Sequence, residues 1–216
     1  MMHVRIIPAV AILSLAVASP STAQQPRRIE VTAFGGGVLF PTELPSSFVV
    51  AGDDGAGIRL DGAEFDAAPA FGLAVGVRPT SRFALELNGT FAPSQITATN
   101  AGQPLVADVN LFLASAGTRL YAPRFTEWLE GYVAAGVGVK VYDYDLQGAD
   151  AEVDFALNFG GGFDIRVAPP VRLRLDVRDH LSWLDPAVSG FDVEVQHDVL
   201  LTAGLSLQIP LSRPRR

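Results

Sequence analysis

Three groups of residues in this chain carry side chains able to do chemistry. His180 stands two positions before Ser182, and Glu194 follows twelve residues after the serine. A histidine that takes the proton of a serine, itself oriented by a carboxylate, is the arrangement of a serine esterase. A pattern this short also recurs by chance, and a histidine and serine making ordinary hydrogen bonds near a strand end is the simpler reading. The second group is acidic: Glu43, Asp53, Asp54, Asp61, Glu64 and Asp66, then Asp143, Asp145, Asp150, Glu152 and Asp154, then Asp185, Asp192, Glu194 and Asp198. Clustered carboxylates suit hard divalent cations such as calcium. Asp53-Asp54-Gly55 lacks the spacing of an EF-hand loop, however, and solvated acidic loops account for the clusters equally well. Third, Gly136-Val137-Gly138-Val139-Lys140 has the glycines of a phosphate loop but sits inside an alternating apolar run, without the helix such a loop needs. With no cysteine and three histidines, one of them His3, neither a transition-metal site nor any cofactor is expected.

The elements that must position these groups follow from the chain's start and its periodicity. Met1 to Arg5 is short and charged, Ile6 to Ala18 is apolar, and Ser21-Thr22-Ala23 is small, which is the layout of a secretory signal peptide cleaved after Ala23. The apolar stretch is well short of the roughly 20 residues a membrane-spanning helix needs. Residues 24–216 then form one domain. Removing Arg5 leaves 15 basic against 23 acidic residues, a poor balance for nucleic acid, whose binding rests on neutralising phosphates. Without cysteine, an exported domain of this size relies on its own packing or on a membrane.

Eight runs alternate at period two, the signature of strands with chemically different faces. They lie near Arg28 to Pro41, Ala70 to Arg78, Phe83 to Thr97, Val106 to Tyr121, Leu129 to Tyr144, Phe155 to Val167, Val171 to Trp183 and Val199 to Leu211. In the seventh, Val171, Leu173, Leu175 and Val177 share one face, and Arg172, Arg174, Asp176 and Arg178 share the other. Connections alternate between short (Pro79 to Arg82, Ala122 to Trp128, Ala168 to Pro170) and long, the longest being Thr42 to about Ala68. Short turns at one rim and long loops at the other describe an all-β fold, an eight-stranded antiparallel up-and-down transmembrane β-barrel.

Alternation alone fits equally a soluble lipocalin-like barrel that binds hydrophobic molecules, with its apolar face inside. Glycine placement favours the opposite assignment. Gly36, Gly72, Gly76, Gly136, Gly138, Gly160, Gly162 and Gly204 share the polar face with long Arg and Glu side chains. An eight-stranded interior is barely wide enough for side chains, so large residues need small neighbours there. With the polar face inward, Glu30, Arg78, Glu86, Glu130, Asp164, Arg166, Arg172 and Arg174 meet near the short-turn end. Such charges must pair, which predicts a salt-bridge plug rather than an ion path. Tyr121 and Trp183 are placed on the outer face, as parts of interfacial aromatic girdles.

The alternating runs, the FGGGVLF segment (Phe34 to Phe40), its echo FGGGFDI (Phe159 to Ile165) and LRLDVRDHLSW (Leu173 to Trp183) together resemble the small bacterial outer-membrane β-barrel superfamily that includes outer-membrane proteins A, W and X. The resemblance implies the fold and an outer-membrane location, in a superfamily whose members anchor, adhere, resist or pass small hydrophobic molecules. Expected partners are outer-membrane lipid, lipopolysaccharide, the barrel insertion machinery and divalent cations at the acidic loops, with the protein monomeric. The chain departs from the family pattern at its end, where Leu211 to Arg216 replace the usual terminal aromatic. His180, Ser182 and Glu194 are also similar to the catalytic set of the outer-membrane lipid A deacylases. Trp183 stands where that family has asparagine, and His180 and Ser182 share the lumen-facing parity of Arg178. The expected function is therefore a non-enzymatic, surface-exposed barrel, with a lipid-modifying esterase and a lipocalin-like binder as alternatives.

Overall fold

A computed structural model describes residues 27–41, 47–50, 58–123, 126–145, 151–184 and 194–211. The expected signal peptide lies outside the described residues. They form ten strands: β1 (Arg28–Leu39), β2 (Ser47–Val50), β3 (Ile58–Phe65), β4 (Ala68–Arg78), β5 (Phe83–Asn100), β6 (Gln103–Tyr121), β7 (Leu129–Tyr144), β8 (Glu152–Ala168), β9 (Val171–Leu184) and β10 (Glu194–Pro210). Eight of them close a ring of antiparallel neighbours running β1, β4, β5, β6, β7, β8, β9, β10 and back to β1. No barrel strand in this ring is left with a free edge, the device by which barrels avoid unpaired ladders. The expected eight-stranded antiparallel barrel is the fold of the chain.

Two connections differ from the expectation of long loops. Within Thr42 to Ala68, β3 runs in line with β4 and takes over the outer half of β5, pairing Asp61 with Thr99 and Phe65 with Ile96, while β2 pairs only with β3. The change of strand is held by Asp66, whose N–H donates to the Gln95 carbonyl at 2.9 Å and whose carbonyl accepts from Ser94 Oγ at 2.7 Å. Glycine, alanine and acidic residues blur the period there, so the strand was not readable from sequence. Between Thr97 and Val106 the ladder simply continues to the pair Asn100 and Gln103. Ala101 and Gly102 close it with φ of 48° and 78°, the left-handed pair that a two-residue hairpin requires.

The wall alternates as its sequence dictates. On β9, Leu175 and Val177 are exposed, whereas Arg172, Arg174, Asp176, Arg178, His180 and Ser182 are buried inside. The outward face carries large apolar side chains on every barrel strand, among them Leu73 at 62 % exposure, Leu87 at 64 % and Leu205 at 60 %. The soluble lipocalin-like arrangement needs this face turned inward, and it is not. Small inward residues let the large ones in: Tyr132 lies across the barrel wall onto its cross-strand partner Gly162, where a Cβ would stand 2.7 Å from the tyrosine hydroxyl.

Inside, the barrel has two tiers. Near the short turns the interior is charged. Toward the opposite end the inward face becomes apolar, with Val38, Leu60, Ile96, Val109, Leu111, Leu113 and Leu200 buried together. Phe65 stacks on Tyr142 at 5.4 Å and leans on Phe40 at 5.2 Å. The sequence reading placed the polar face inward along the whole barrel, so this apolar tier is a correction. It arises because one parity of β6 carries Val109, Leu111 and Leu113 at one end and Arg119 at the other.

Candidate functional site

The charged tier is built by inward positions of six strands around Arg119, which is fully buried on β6. Its Nη2 donates to Glu30 Oε2 of β1 at 2.6 Å, and its Nε lies 3.1 Å from Glu86 Oε2 of β5. Arg174 of β9 repeats the embrace, donating through Nη1 to Glu86 at 2.8 Å, through Nε to Asp164 of β8 at 3.1 Å and through Nη2 to Glu30 at 3.3 Å. Arg178, two inward positions further, donates to Glu86 Oε1 at 2.7 Å and Asp176 Oδ1 at 2.8 Å. At the rim, Glu130 of β7 accepts from Arg78 at 2.9 Å and from Arg172 at 2.5 Å. Five guanidinium groups thus meet the carboxylates of Glu30, Glu86, Glu130, Asp164 and Asp176, and the tier is neutral.

Neutral groups complete the network. Tyr121 Oη donates to Asp164 at 2.9 Å and accepts from Arg119; its ring lies 3.7 Å beneath the Arg78 guanidinium. Tyr132 donates to Asp176, and Gln208 Nε2 donates to Glu30 Oε1 at 3.0 Å. Burying an ion is costly unless its partners are close and its remaining hydrogen-bonding positions are filled. Here each acid that faces two arginines also has a fixed geometry to both, the condition under which charge-assisted bonds are strong.

Seven of the eight residues expected at the plug are brought together here: Glu30, Arg78, Glu86, Glu130, Asp164, Arg172 and Arg174, all buried. Arg166 is not. It lies exposed at the end of β8, where the register with β9 shifts between Arg166 and Ala168 just before the turn at Pro169-Pro170. Arg166 pairs with Arg172 just ahead of that shift, so its exposure goes with its place in the last in-register pair beside the turn. Tyr121, assigned from sequence to the outer aromatic girdle, is 5 % exposed and belongs to the network. The side chain of Trp183 lies outside the described residues. Sequence reasoning missed Arg119, the centre of the network, because Ala114 to Gly117 give the two faces of β6 the same small residues. The parity of Leu120, apolar and outward, was the available signal.

A second ion pair sits higher in the barrel, where Lys140 Nζ of β7 donates to Asp198 Oδ2 of β10 at 2.6 Å. Asp198, expected in an acidic loop, is fully buried in the lumen, and Asp154 faces inward with it. Beside them His180 is 4 % and Ser182 0 % exposed, yet His180 Nε2 and Ser182 Oγ make no hydrogen bond with any described group. No serine-to-histidine proton path exists in this arrangement, and the serine is sealed from lipid. The backbone of Glu194 pairs with Leu184; its side chain lies outside the described residues. Among the described residues no group of acidic or histidine side chains has the geometry to hold a metal ion. Glu43, Asp53, Asp54, Asp150, Asp185 and Asp192 lie outside the described residues.

No protein-family model matches the chain, and no curated protein sequence matches it either. Solved structures do match its fold. The outer membrane protein OprG from Pseudomonas aeruginosa aligns over 87 % of this chain and 98 % of its own, at 15 % identity and a TM-score of 0.56. The outer membrane protein AlkL, solved by solid-state NMR in DMPC lipid bilayers, covers 92 % and 97 % at 16 % identity and a TM-score of 0.56. Neisserial surface protein A covers 87 % and 100 % at 13 % identity and a TM-score of 0.54. The fold is that of the small eight-stranded outer-membrane barrels.

Proposed function

We propose that the protein is a non-enzymatic, integral outer-membrane β-barrel that crosses the bilayer as a monomer, with its short turns toward the periplasm. The observation that carries this reading is the outward apolar band. On β7 it runs without a polar interruption from Val133 to Val141 and ends at Asp143. Neighbouring strands end theirs at Gln95, Asp108 and Asp179, with Gln95 donating to Asp108 at 2.8 Å and Asp179 bonded to His197 at 2.9 Å on the outer face. A tilted barrel strand crosses a bilayer in about 9–11 residues. A band of that height, wrapped around the whole ring, has no role in water, where exposed apolar patches stay within a few hundred Å².

The charged tier acts as a plug. It fills the lumen with paired ions at one end, and the apolar cluster together with the Lys140–Asp198 pair fills the other, so the wall serves as a rigid support rather than a conduit. What it supports is the outer end, where the β2–β3 and β5–β6 hairpins rise above the band and acidic residues predominate. Partners are membrane lipid, lipopolysaccharide, whose phosphates the acidic end meets through divalent cations, and the insertion machinery. Nothing in the placement of His180 and Ser182 favours the esterase reading.

An outer-membrane fraction run on a gel unboiled and boiled tests the proposal: the folded barrel migrates differently from the unfolded chain. The same preparation in planar bilayers gives unit conductance near zero. Recovery of the protein from the soluble periplasm without a mobility shift, or a stable large conductance step, would overturn it.

A further inference from the structure

The described charges are unevenly distributed along the barrel axis. Outside the interior, the short-turn end carries Arg27, Arg28, Arg82 and Arg166 against Glu127, while the opposite half carries Arg59 against Asp61, Glu64, Asp66, Asp108, Asp143, Asp145, Glu152 and Asp179. At the basic end a groove of about 330 Å³ opens between the β8–β9 turn and the ends of β1 and β10. Three arginines line it, Arg28, Arg166 and Arg172, and no acidic residue does. Arg166 and Arg172 are direct cross-strand partners, as are Arg28 and Arg78. Like charges placed opposite one another in a sheet repel. Glu130 offsets Arg172 and Arg78, but among the described residues Arg28 donates to the neutral Gln208, at 2.9 Å, and neither Arg28 nor Arg166 forms an ion pair.

Apart from Gln208, the rest of the groove is apolar, formed by Ala168, Pro169, Pro170, Val171 and Pro210. Val171 shares the parity of Leu173, Leu175 and Val177, so the groove wall is continuous with the lipid-facing band. Arginines lining a site whose apolar wall merges with a membrane surface match one chemistry, an anionic headgroup attached to a hydrocarbon tail. We infer that this groove binds the phosphate of an anionic phospholipid of the periplasmic leaflet, between Arg28, Arg166 and Arg172. The inference rests on the membrane-barrel reading, because only that reading brings headgroups to this rim.

Native mass spectrometry of the refolded mature protein in detergent tests it, with phosphatidylglycerol and phosphatidylcholine as probes. Wild type retains one phosphatidylglycerol in preference to phosphatidylcholine. Arg28→Gln with Arg166→Gln lowers that retention about tenfold or more, as expected for losing charge-assisted hydrogen bonds. Both positions lie at the rim, and an unchanged heat-dependent gel shift shows that the variants fold. Should the double variant fail to fold, the exposed Arg166→Gln alone must still weaken retention. Equal retention by variant and wild type overturns the site. Inorganic phosphate displacing the lipid at equal concentration overturns the lipid as its occupant. Loss of the gel shift in wild type defeats the barrel reading instead, so the two failures are distinguishable.

Discussion

Arg119 of β6 and Glu30 of β1 meet at 2.6 Å across the interior, although their strands are not neighbours in the ring. A bond of this kind ties opposite walls together, which no backbone ladder does. Removing one partner leaves buried charge uncompensated. Arg119→Ala is therefore expected to lower stability by about 3–5 kcal/mol, read as a shift in urea unfolding followed by the gel mobility change. Arg119→Met combined with Glu30→Gln, which removes both charges, is expected to recover part of the loss. A single variant as stable as wild type would show that the network does not close around Arg119.

Charge on the outer wall makes a separate prediction. Val137 is 49 % exposed at the middle of the β7 band. Val137→Lys places an ammonium in hydrocarbon and costs about 2–4 kcal/mol when folding is measured into lipid bilayers. The same change at Gln95, above the band, leaves stability near wild type. For a barrel that lives in water the two substitutions would be equally harmless, so equal effects would count against the membrane reading.

The legibility of this fold depended on how different the two faces of each strand are. On β8 and β9, large apolar residues alternate with Asp and Arg, and the inward set was read correctly up to Asp164. On β6 small residues occupy both faces, so Arg119 and Tyr121 were respectively missed and turned outward. Arg166 obeys the period of β8 and still pairs in register with Arg172, but it is the last such pair before the turn, and no alternation reveals where the ladder ends. The β3 strand carries Asp61, Gly62 and Glu64, a composition that reads as loop until β5 supplies its partner. Sequence parity reports the face; it does not report where a ladder bends or who pairs beyond the bend.

Tyr132 and Gly162 form a pair whose members are not interchangeable with near relatives. A methyl at residue 162 would meet the Leu175 carbonyl and stand 2.7 Å from Tyr132 Oη. Gly162→Ala is expected to cost about 1–3 kcal/mol from overpacking. Tyr132→Phe keeps the ring over the glycine and loses only the hydrogen bond to Asp176, whose Oδ2 still accepts from Arg178 at 3.3 Å, for about 1.5–3 kcal/mol as a bond to a charged group. Urea midpoints of the two single variants and the double variant measure the coupling. Full additivity would separate the Tyr132 hydroxyl from the glycine.

Ser182→Ala removes a hydroxyl that is 0 % exposed and makes no hydrogen bond with any described group. It is expected to leave stability within about 1 kcal/mol, because no formed bond is lost. Incubated with lipopolysaccharide, wild type and variant are expected to release acyl chains equally slowly, at the uncatalysed rate. Faster release by wild type, abolished in the variant, would restore the esterase.

Among the described residues the β2 strand ends the sheet: it is bonded to β3 on one side and to no other strand. In the closed hoop below, freeing any strand requires two ladders to unzip at once, so local opening there approaches global unfolding. The parapet above the bilayer has a fraying end and opens by breaking one ladder of four residue pairs. Amide protons should therefore sort by height, with those of β2 exchanging with deuterium orders of magnitude ahead of those in the hoop. The outer surface of this protein can thus be remodelled without loosening the part that holds it in place.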